Sequence, residues 1–116
     1  MATKTKSTET LDHAAIRKEI GKERLLKMWR QMVLIRRFEE RAINAYQQKK
    51  IAGFLHLYIG QEAVATGFYD HLDPAIDSSV TTYRCHAQAL LLGLDPKELM
   101  AELFGKVTGN VKGKGG

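Results

Sequence analysis

A histidine within an apolar segment is the first residue of this 116-residue chain that could take part in chemistry. His56 lies in the sequence IAGFLHLYIG, residues 51–60, which contains Gly53 and Gly60. A buried imidazole must find a hydrogen-bond partner, whereas an accessible imidazole can bind a ligand or carry a proton. These residues alone leave two interpretations of His56 open, a core histidine and a functional histidine.

The sequence YRCH, residues 83–86, is a second candidate because it follows a predicted strand and precedes a predicted helix. Side chains at such a junction are held rigidly by the end of the strand. Arg84 is the only lysine or arginine in residues 51–96. A guanidinium in apolar surroundings needs a carboxylate or a phosphate. Spacing slightly favours a structural salt bridge, for which the candidate carboxylates are Asp70, Asp73 and Asp77.

Cys85 and the glycine- and lysine-rich C-terminal sequence are weaker candidates. Cys85 next to His86 could indicate a catalytic thiol, but adjacent residues rarely face each other, so we disfavour this pair. The sequence KGKGG, residues 112–116, could bind phosphate through backbone N–H groups and two lysines. It lacks the GxxxxGK[ST] pattern of a Walker A loop, and a mobile surface loop is the favoured interpretation.

A long amphipathic helix over residues 22–50 is the main element available to position these residues. Its apolar residues recur at steps of three and four, without an interrupting glycine or proline. They are Leu25, Trp29, Met32, Ile35, Phe38, Ala42 and Tyr46. The pattern predicts that this stripe is buried against other elements or a partner subunit, with Trp29 and Tyr46 packed in a core.

Shorter elements are predicted downstream of the looped segment 51–60. A second helix begins after Gly60, with Glu62 in its first turn, where a carboxylate favours the helix dipole. Residues 79–83, SVTTY, predict a short strand. A short apolar helix follows, and a last helix begins with the Asp-Pro sequence at 95–96 and ends at Gly105. The chain is therefore predicted to be mostly α-helical, with at most one or two short strands.

Composition and charge exclude several classes of protein. No run of about 18 apolar residues is present and there is one cysteine, so we expect neither a membrane span nor a disulfide framework or Cys-rich zinc site. The net charge is +5, with the basic excess in residues 1–50. Because charges of both signs mix there, a solvated helix face is favoured over nucleic-acid binding. Residues 1–21 lack an apolar signal sequence and are interpreted as a flexible leader of a cytoplasmic protein.

Five motifs occur in a fixed order along residues 25–116. They are MWRQMVLIRRFEE, GFLHLYIGQEA, TTYRCHA, LMAELFGKVTG and KGKGG. In this order and spacing, the chain closely resembles the start of the alpha subunit of thiamine-diphosphate-dependent pyruvate dehydrogenases, within the 2-oxo acid dehydrogenase family. The resemblance implies an α/β thiamine-diphosphate-binding fold for the whole subunit. Residues 22–116 would be the N-terminal part of that domain, truncated at the C-terminal end.

The resemblance also implies roles for four residues. Tyr83 and Arg84 would contact the diphosphate of the cofactor. His56 would be the catalytic and substrate-binding histidine beside the thiazolium and the 2-oxo acid, with Phe54 as an apolar wall. The implied cofactors are thiamine diphosphate and magnesium, with the magnesium ligands beyond residue 116. Ala87 stands where the family usually has glycine, a departure that affects no ligand.

The implied activity is the oxidative decarboxylation of pyruvate, with transfer of the acetyl group to a lipoyl arm. The implied partners are pyruvate, a beta subunit that supplies a catalytic glutamate, and dihydrolipoyl acetyltransferase, with neither nucleic acid nor membrane. The isolated chain is expected to be inactive. An acetoin or branched-chain 2-oxo acid dehydrogenase alpha subunit is the alternative within the family. A small basic helical binding module, in which Tyr83 and Arg84 are dispensable, is the alternative from another class.

Overall fold

The predicted amphipathic stripe forms the longest helix of the computed structural model, which describes residues 11–115. Five α-helices occur in that part of the chain, in the order α1 His13–Ile20, α2 Lys22–Gln47, α3 Glu62–Tyr69, α4 His86–Leu91 and α5 Pro96–Leu103. Segments without regular structure join α2 to α3 and α3 to α4. The prediction of a mostly helical chain is confirmed.

The predicted strand over residues 79–83 does not form. This segment is irregular, and no strand occurs anywhere in residues 11–115. A strand is stabilised by ladder hydrogen bonds to a neighbouring strand, and the described residues offer none. High β-propensity alone therefore leaves the segment as a connection between α3 and α4.

The predicted flexible leader contains a helix in the part that the structure describes. α1 covers residues 13–20, and the Asp12 side chain caps it by accepting hydrogen bonds from the backbone N–H groups of Ala14 and Ala15. Residues 13–20 of the leader are therefore helical, since a side-chain cap satisfies free N–H groups of the first turn, and the flexibility of the leader stays a prediction. None of the α1 residues is buried. Residues 1–10 lie outside the described part, and the domain division at residue 22 stays a prediction.

The core lies between the second half of α2 and the elements that follow it. α2 contributes four buried apolar residues, and the other members come from the 51–60 segment, α3, α4 and α5. The buried apolar residues are Ile35, Phe38, Ala42, Ala45, Ile51, Tyr58, Ala65, Ala87, Leu90, Leu99 and Leu103. This cluster fixes the ends of both irregular segments against one face of α2.

Two aromatic residues of the predicted stripe lie outside this core. Trp29 is 58% exposed and Tyr46 is 37% exposed, so the prediction that both are packed in a core of this chain is wrong. The buried part of α2 begins at Ile35, after Trp29. The Tyr46 hydroxyl donates a hydrogen bond to the Gly53 carbonyl at 3.1 Å, which ties the end of α2 to the next segment.

The last helix begins and ends as its sequence predicts. The Asp95 side chain accepts a hydrogen bond from the Lys97 N–H at 2.7 Å, and Pro96 occupies the first turn. Gly105 has a φ of +65°, and its N–H and that of Lys106 donate to carbonyls of the last helical turn. This is the Schellman arrangement that glycine favours after a helix.

Candidate active site

The two irregular segments bring His56 and Tyr83 together. Their ring centroids are 4.4 Å apart, with the planes tilted by 52°. Both side chains are exposed, and Tyr83 is 68% exposed. The interpretation of His56 as a core histidine is therefore wrong. Its imidazole is accessible to solvent and lies beside the phenol ring of Tyr83.

Arg84 turns back toward the segment that carries His56. Its Nη1 donates a hydrogen bond to the Leu57 carbonyl at 2.6 Å, and its guanidinium carbon lies 5.8 Å from the centroid of the Tyr83 ring. The side chain is half-buried. A guanidinium has five N–H donors, and within residues 11–115 only this one hydrogen bond engages them.

The three aspartates considered as partners of Arg84 are engaged elsewhere. Asp70 forms ion pairs with Arg24 and with Lys27 of α2. Burial acts to raise the pKa of Asp70, but the hydrogen bonds from these two cations outweigh it and hold the pKa below its ordinary value. The other two accept backbone N–H bonds within residues 73–77. The interpretation of Arg84 as a structural salt bridge is therefore wrong within the described residues.

A cleft of about 380 Å³ separates the two segments. Its lining includes Phe54 and His56 from the first segment, Tyr83 from the second, and His86 at the start of α4. Phe54 is 92% exposed, so it borders the cleft without being covered by any described residue. The arrangement places an imidazole, a phenol and an apolar ring around one opening. Arg84 follows Tyr83 in the chain, and its guanidinium lies near the Tyr83 ring.

A buried hydrogen bond between a glutamate and a histidine beside the cleft is a feature that the sequence interpretation missed. Glu39 of α2 is fully buried, and its two carboxylate oxygens lie 3.0 and 3.1 Å from Nδ1 of His86, at the start of α4. The Phe38 ring packs edge-on against the imidazole, with centroids 5.7 Å apart. Helical spacing contains the signal, because Glu39 follows Ile35 by four residues and precedes Ala42 by three, and so lies on the apolar face.

The glycine- and lysine-rich C-terminal segment is held by a second buried carboxylate. Glu102 accepts hydrogen bonds from the backbone N–H groups of Val111, Gly113 and Gly115 at 2.9, 2.8 and 2.6 Å. A Cβ at Gly109 would lie 2.3 Å from a carboxylate oxygen of Glu102, so the close approach requires glycine. The N–H groups expected to suit a phosphate therefore bind an anion of the chain itself, and the favoured interpretation of a mobile loop did not anticipate this contact.

Glu62 fixes the other end of the His56 segment. Its carboxylate accepts a hydrogen bond from Nε of Arg36 at 2.6 Å and one from the Gly60 N–H at 3.0 Å. The pKa of Glu62 lies below its ordinary value, chiefly because of the bond from Arg36; burial acts in the opposite direction, and the Gly60 N–H lowers the pKa further. α2, through Arg36 and Glu39, therefore anchors both segments that border the cleft.

Clustered metal ligands and membrane-spanning helices are both absent from the described residues. Residues 11–115 contain no group of three or more His, Cys, Asp or Glu side chains that could hold a metal ion. Over the same range, no helix combines the length and the apolar character that crossing a membrane requires.

Comparison with known proteins identifies relatives for most of the chain. The pyruvate dehydrogenase E1 component subunit alpha of Zymomonas mobilis is 54% identical over 95 residues, which are 82% of this chain and 27% of that protein. The probable mitochondrial pyruvate dehydrogenase E1 component subunit alpha of Caenorhabditis elegans is 50% identical over 97 residues, 84% of this chain and 24% of that protein. The pyruvate dehydrogenase E1 component subunit alpha of Rickettsia conorii is 48% identical over 95 residues, which are 82% of this chain and 29% of that protein.

The present chain thus spans about a quarter of the length of the curated relatives it matches. A protein-family model also matches this chain. That family is the dehydrogenase E1 component, and the match covers residues 30–116, which include α2 after its first turns, both cleft segments and the glycine-rich segment. The chain therefore belongs to the dehydrogenase E1 component family.

Proposed function

We propose that this chain is the N-terminal part of an alpha subunit that catalyses the oxidative decarboxylation of pyruvate and the transfer of the acetyl group to a lipoyl arm. The observation that carries the proposal is the meeting of His56 and Tyr83 across one cleft, with Arg84 beside them. The relatives' names support pyruvate as the substrate. No observation favours acetoin or a branched-chain 2-oxo acid.

The residues present fit a diphosphate-bearing cofactor. Arg84 keeps most of its N–H donors out of hydrogen bonds within the described chain, and its bond to Leu57 holds the guanidinium in place. Charge-assisted bonds from such a fork suit phosphate oxygens. The exposed Tyr83 adds a hydroxyl donor next to it. Tyr83 and Arg84 would therefore hold the diphosphate of thiamine diphosphate.

His56 and Phe54 would shape the space next to the reacting atoms. Thiamine diphosphate, when bound, supplies an electron sink for the decarboxylation of a 2-oxo acid. The imidazole of His56, fixed against the Tyr83 ring, can donate or accept a proton at a ring nitrogen toward the 2-oxo acid. Phe54 would exclude water from one side once a partner covers it.

The remaining parts of the assignment are proposals of the same kind. They are magnesium held by ligands beyond residue 116, a beta subunit that completes the site, a dihydrolipoyl acetyltransferase that receives the acetyl group, and a cytoplasmic location. No observation favours the alternative of a small basic helical binding module, and three arginines of the basic half already bind carboxylates. These arginines are Arg24, Arg36 and Arg37.

The sharpest test of the proposed function concerns Arg84. In the enzyme assembled with its beta subunit, Arg84→Ala should raise the dissociation constant of thiamine diphosphate by about 10- to 150-fold, because a charge-assisted contact contributes about 1.5–3 kcal/mol. Arg84→Lys should recover only part of the affinity, since lysine lacks the planar fork. Calorimetric titration with the cofactor measures both changes.

The matched control is Arg37→Ala, which removes an exposed guanidinium of α2 that pairs with Glu40. Its cofactor affinity should equal that of the unaltered enzyme. An unchanged affinity for Arg84→Ala, accompanied by a lower melting temperature, would refute the cofactor assignment. Carbon dioxide release from pyruvate, compared with release from branched-chain 2-oxo acids, then tests the substrate.

A further inference from the structure

The buried pair of Glu39 and His86 connects α2 to a residue that follows the proposed diphosphate ligand Arg84 by two positions. Glu39 is 0% exposed and His86 is 6% exposed. Nδ1 of His86 lies within hydrogen-bond distance of both oxygens of the Glu39 carboxyl group. The contact joins residues 47 positions apart, and so connects α2 to the first residue of α4.

The segment that carries Tyr83 and Arg84 is held by contacts with the neighbouring helices, in addition to the contacts of these two residues with the His56 segment. It has no helix or strand of its own, so no ladder of backbone hydrogen bonds determines its path. Within the segment, four residues before Tyr83, Ser79 forms a hydrogen bond with the Tyr69 hydroxyl of α3. At the end of the segment α4 starts at His86, two residues after Arg84. The position of His86 therefore limits where the Arg84 backbone can lie.

A buried carboxylate makes that position specific. Removing the Glu39 carboxyl group from water is unfavourable unless a hydrogen-bond partner reaches it, and His86 is the partner that the structure provides. The neighbouring Ala87 is also completely buried, and Phe38 packs against the imidazole. A polar bond and apolar packing thus hold the start of α4 in one place on α2.

We propose that Glu39 and His86 are positioning residues that hold the start of α4 so that Tyr83 and Arg84 meet the diphosphate of the cofactor. The inference rests on the proposed function, because it requires these two residues to be diphosphate ligands. Glu39 acts only through other residues, since it is fully buried on α2. Loss of the pair is expected to weaken cofactor binding without removing any ligand.

The test is a cofactor titration of the enzyme assembled with its beta subunit, at saturating magnesium and well below each variant's unfolding temperature. Glu39→Ala should raise the dissociation constant of thiamine diphosphate about tenfold, as expected for residues coupled through contact. Glu39→Gln keeps an acceptor oxygen but loses the charge, and should raise the constant about threefold. If Glu39→Ala does not fold, Glu39→Gln carries the test.

Two further variants separate positioning from general destabilisation. Glu40→Ala alters the neighbouring, partly exposed carboxylate of α2 and should leave cofactor affinity unchanged. In an Arg84→Ala background, Glu39→Ala or Glu39→Gln should raise the dissociation constant of the cofactor little further, because the effect of Glu39 passes through the missing guanidinium.

Three results would overturn the inference. An unchanged cofactor affinity for both Glu39 variants, even with a lower melting temperature, would mean a purely structural pair. If substitution of Glu39 weakens cofactor binding as much in the Arg84→Ala background as in the enzyme that retains Arg84, Glu39 does not act through Arg84. If Arg84→Ala itself leaves the cofactor affinity unchanged, the proposed function fails together with the positioning role. The first two results, in contrast, overturn only the positioning role.

Discussion

At the residue scale, Glu62 makes the anchoring of the His56 segment dependent on pH. Its folded-state pKa is lowered, chiefly by the hydrogen bond from Arg36. A group with a lowered folded pKa stabilises the fold above its unfolded pKa, and this stabilisation is lost as the pH falls through the folded value. The loss should therefore begin below about pH 4.5, the ordinary pKa of a glutamate.

The Glu62→Gln variant tests this dependence in thermal melts between about pH 3 and pH 7. It should melt at a lower temperature than the unaltered protein at pH 7, and the difference should shrink as the pH falls. Glu98→Gln, an exposed residue in the first turn of α5, is the matched control and should follow the unaltered protein throughout. A constant difference at every pH would contradict the role given to the carboxylate.

At the element scale, the end of α2 is held by a residue in an unfavourable conformation. Lys49 has a φ of +58°, and its N–H and that of Lys50 donate to the Tyr46 and Ala45 carbonyls. This is the same Schellman arrangement that Gly93 and Gly105 form after α4 and α5. A side chain in the left-handed region costs free energy that glycine does not pay.

Lys49→Gly should therefore raise the free energy of unfolding by about 0.5–1 kcal/mol, as the relief of strain exceeds the entropy that glycine loses. Denaturant titration of the assembled protein measures the change. Lys50→Gly is the control, because Lys50 is not among the described residues with a positive φ, and it should leave stability the same or lower it. Stabilisation by Lys50→Gly and none by Lys49→Gly would contradict the argument.

At the scale of the whole molecule, the described chain is elongated and exposes large apolar side chains. The radius of gyration is 18.1 Å, against about 13 Å for a compact domain of this length. Val64 and Phe68, one turn apart on α3, are 70% and 64% exposed, and Phe54 at the cleft is 92% exposed. Exposed apolar surface of this kind drives association.

We therefore expect the purified 116-residue chain to self-associate and to release no carbon dioxide from pyruvate, even with thiamine diphosphate and magnesium. Sedimentation velocity should show mass increasing with concentration, and the double change Val64→Ser and Phe68→Ser should reduce that increase. A monomer at every concentration would contradict the first expectation. Carbon dioxide release above background would contradict the second.

Local features of the sequence predicted the helices well. The periodicity of residues 22–50, the Asp-Pro start of α5 and the stop at Gly105 all act within a few residues, because helical hydrogen bonds and caps join near neighbours. The prediction of a strand over residues 79–83 is wrong for the complementary reason. Its propensity was sufficient, but strand pairing needs a partner from elsewhere in the structure, and the described residues supply none.

Sequence by itself determined helices α2 to α5, and through the resemblance it supplied the hypothesis that Phe54, His56, Tyr83 and Arg84 bind cofactor and substrate. The tertiary structure alone decided their partners: Arg84 with a carbonyl 27 residues away and His86 with Glu39, 47 residues away. It also decided that Trp29 is exposed while Glu39 is buried, although both lie on the apolar stripe of one helix. The physical reason is that the spacing of residues along α2 identifies the face on which a residue lies, whereas burial also requires another element to reach that turn of the helix.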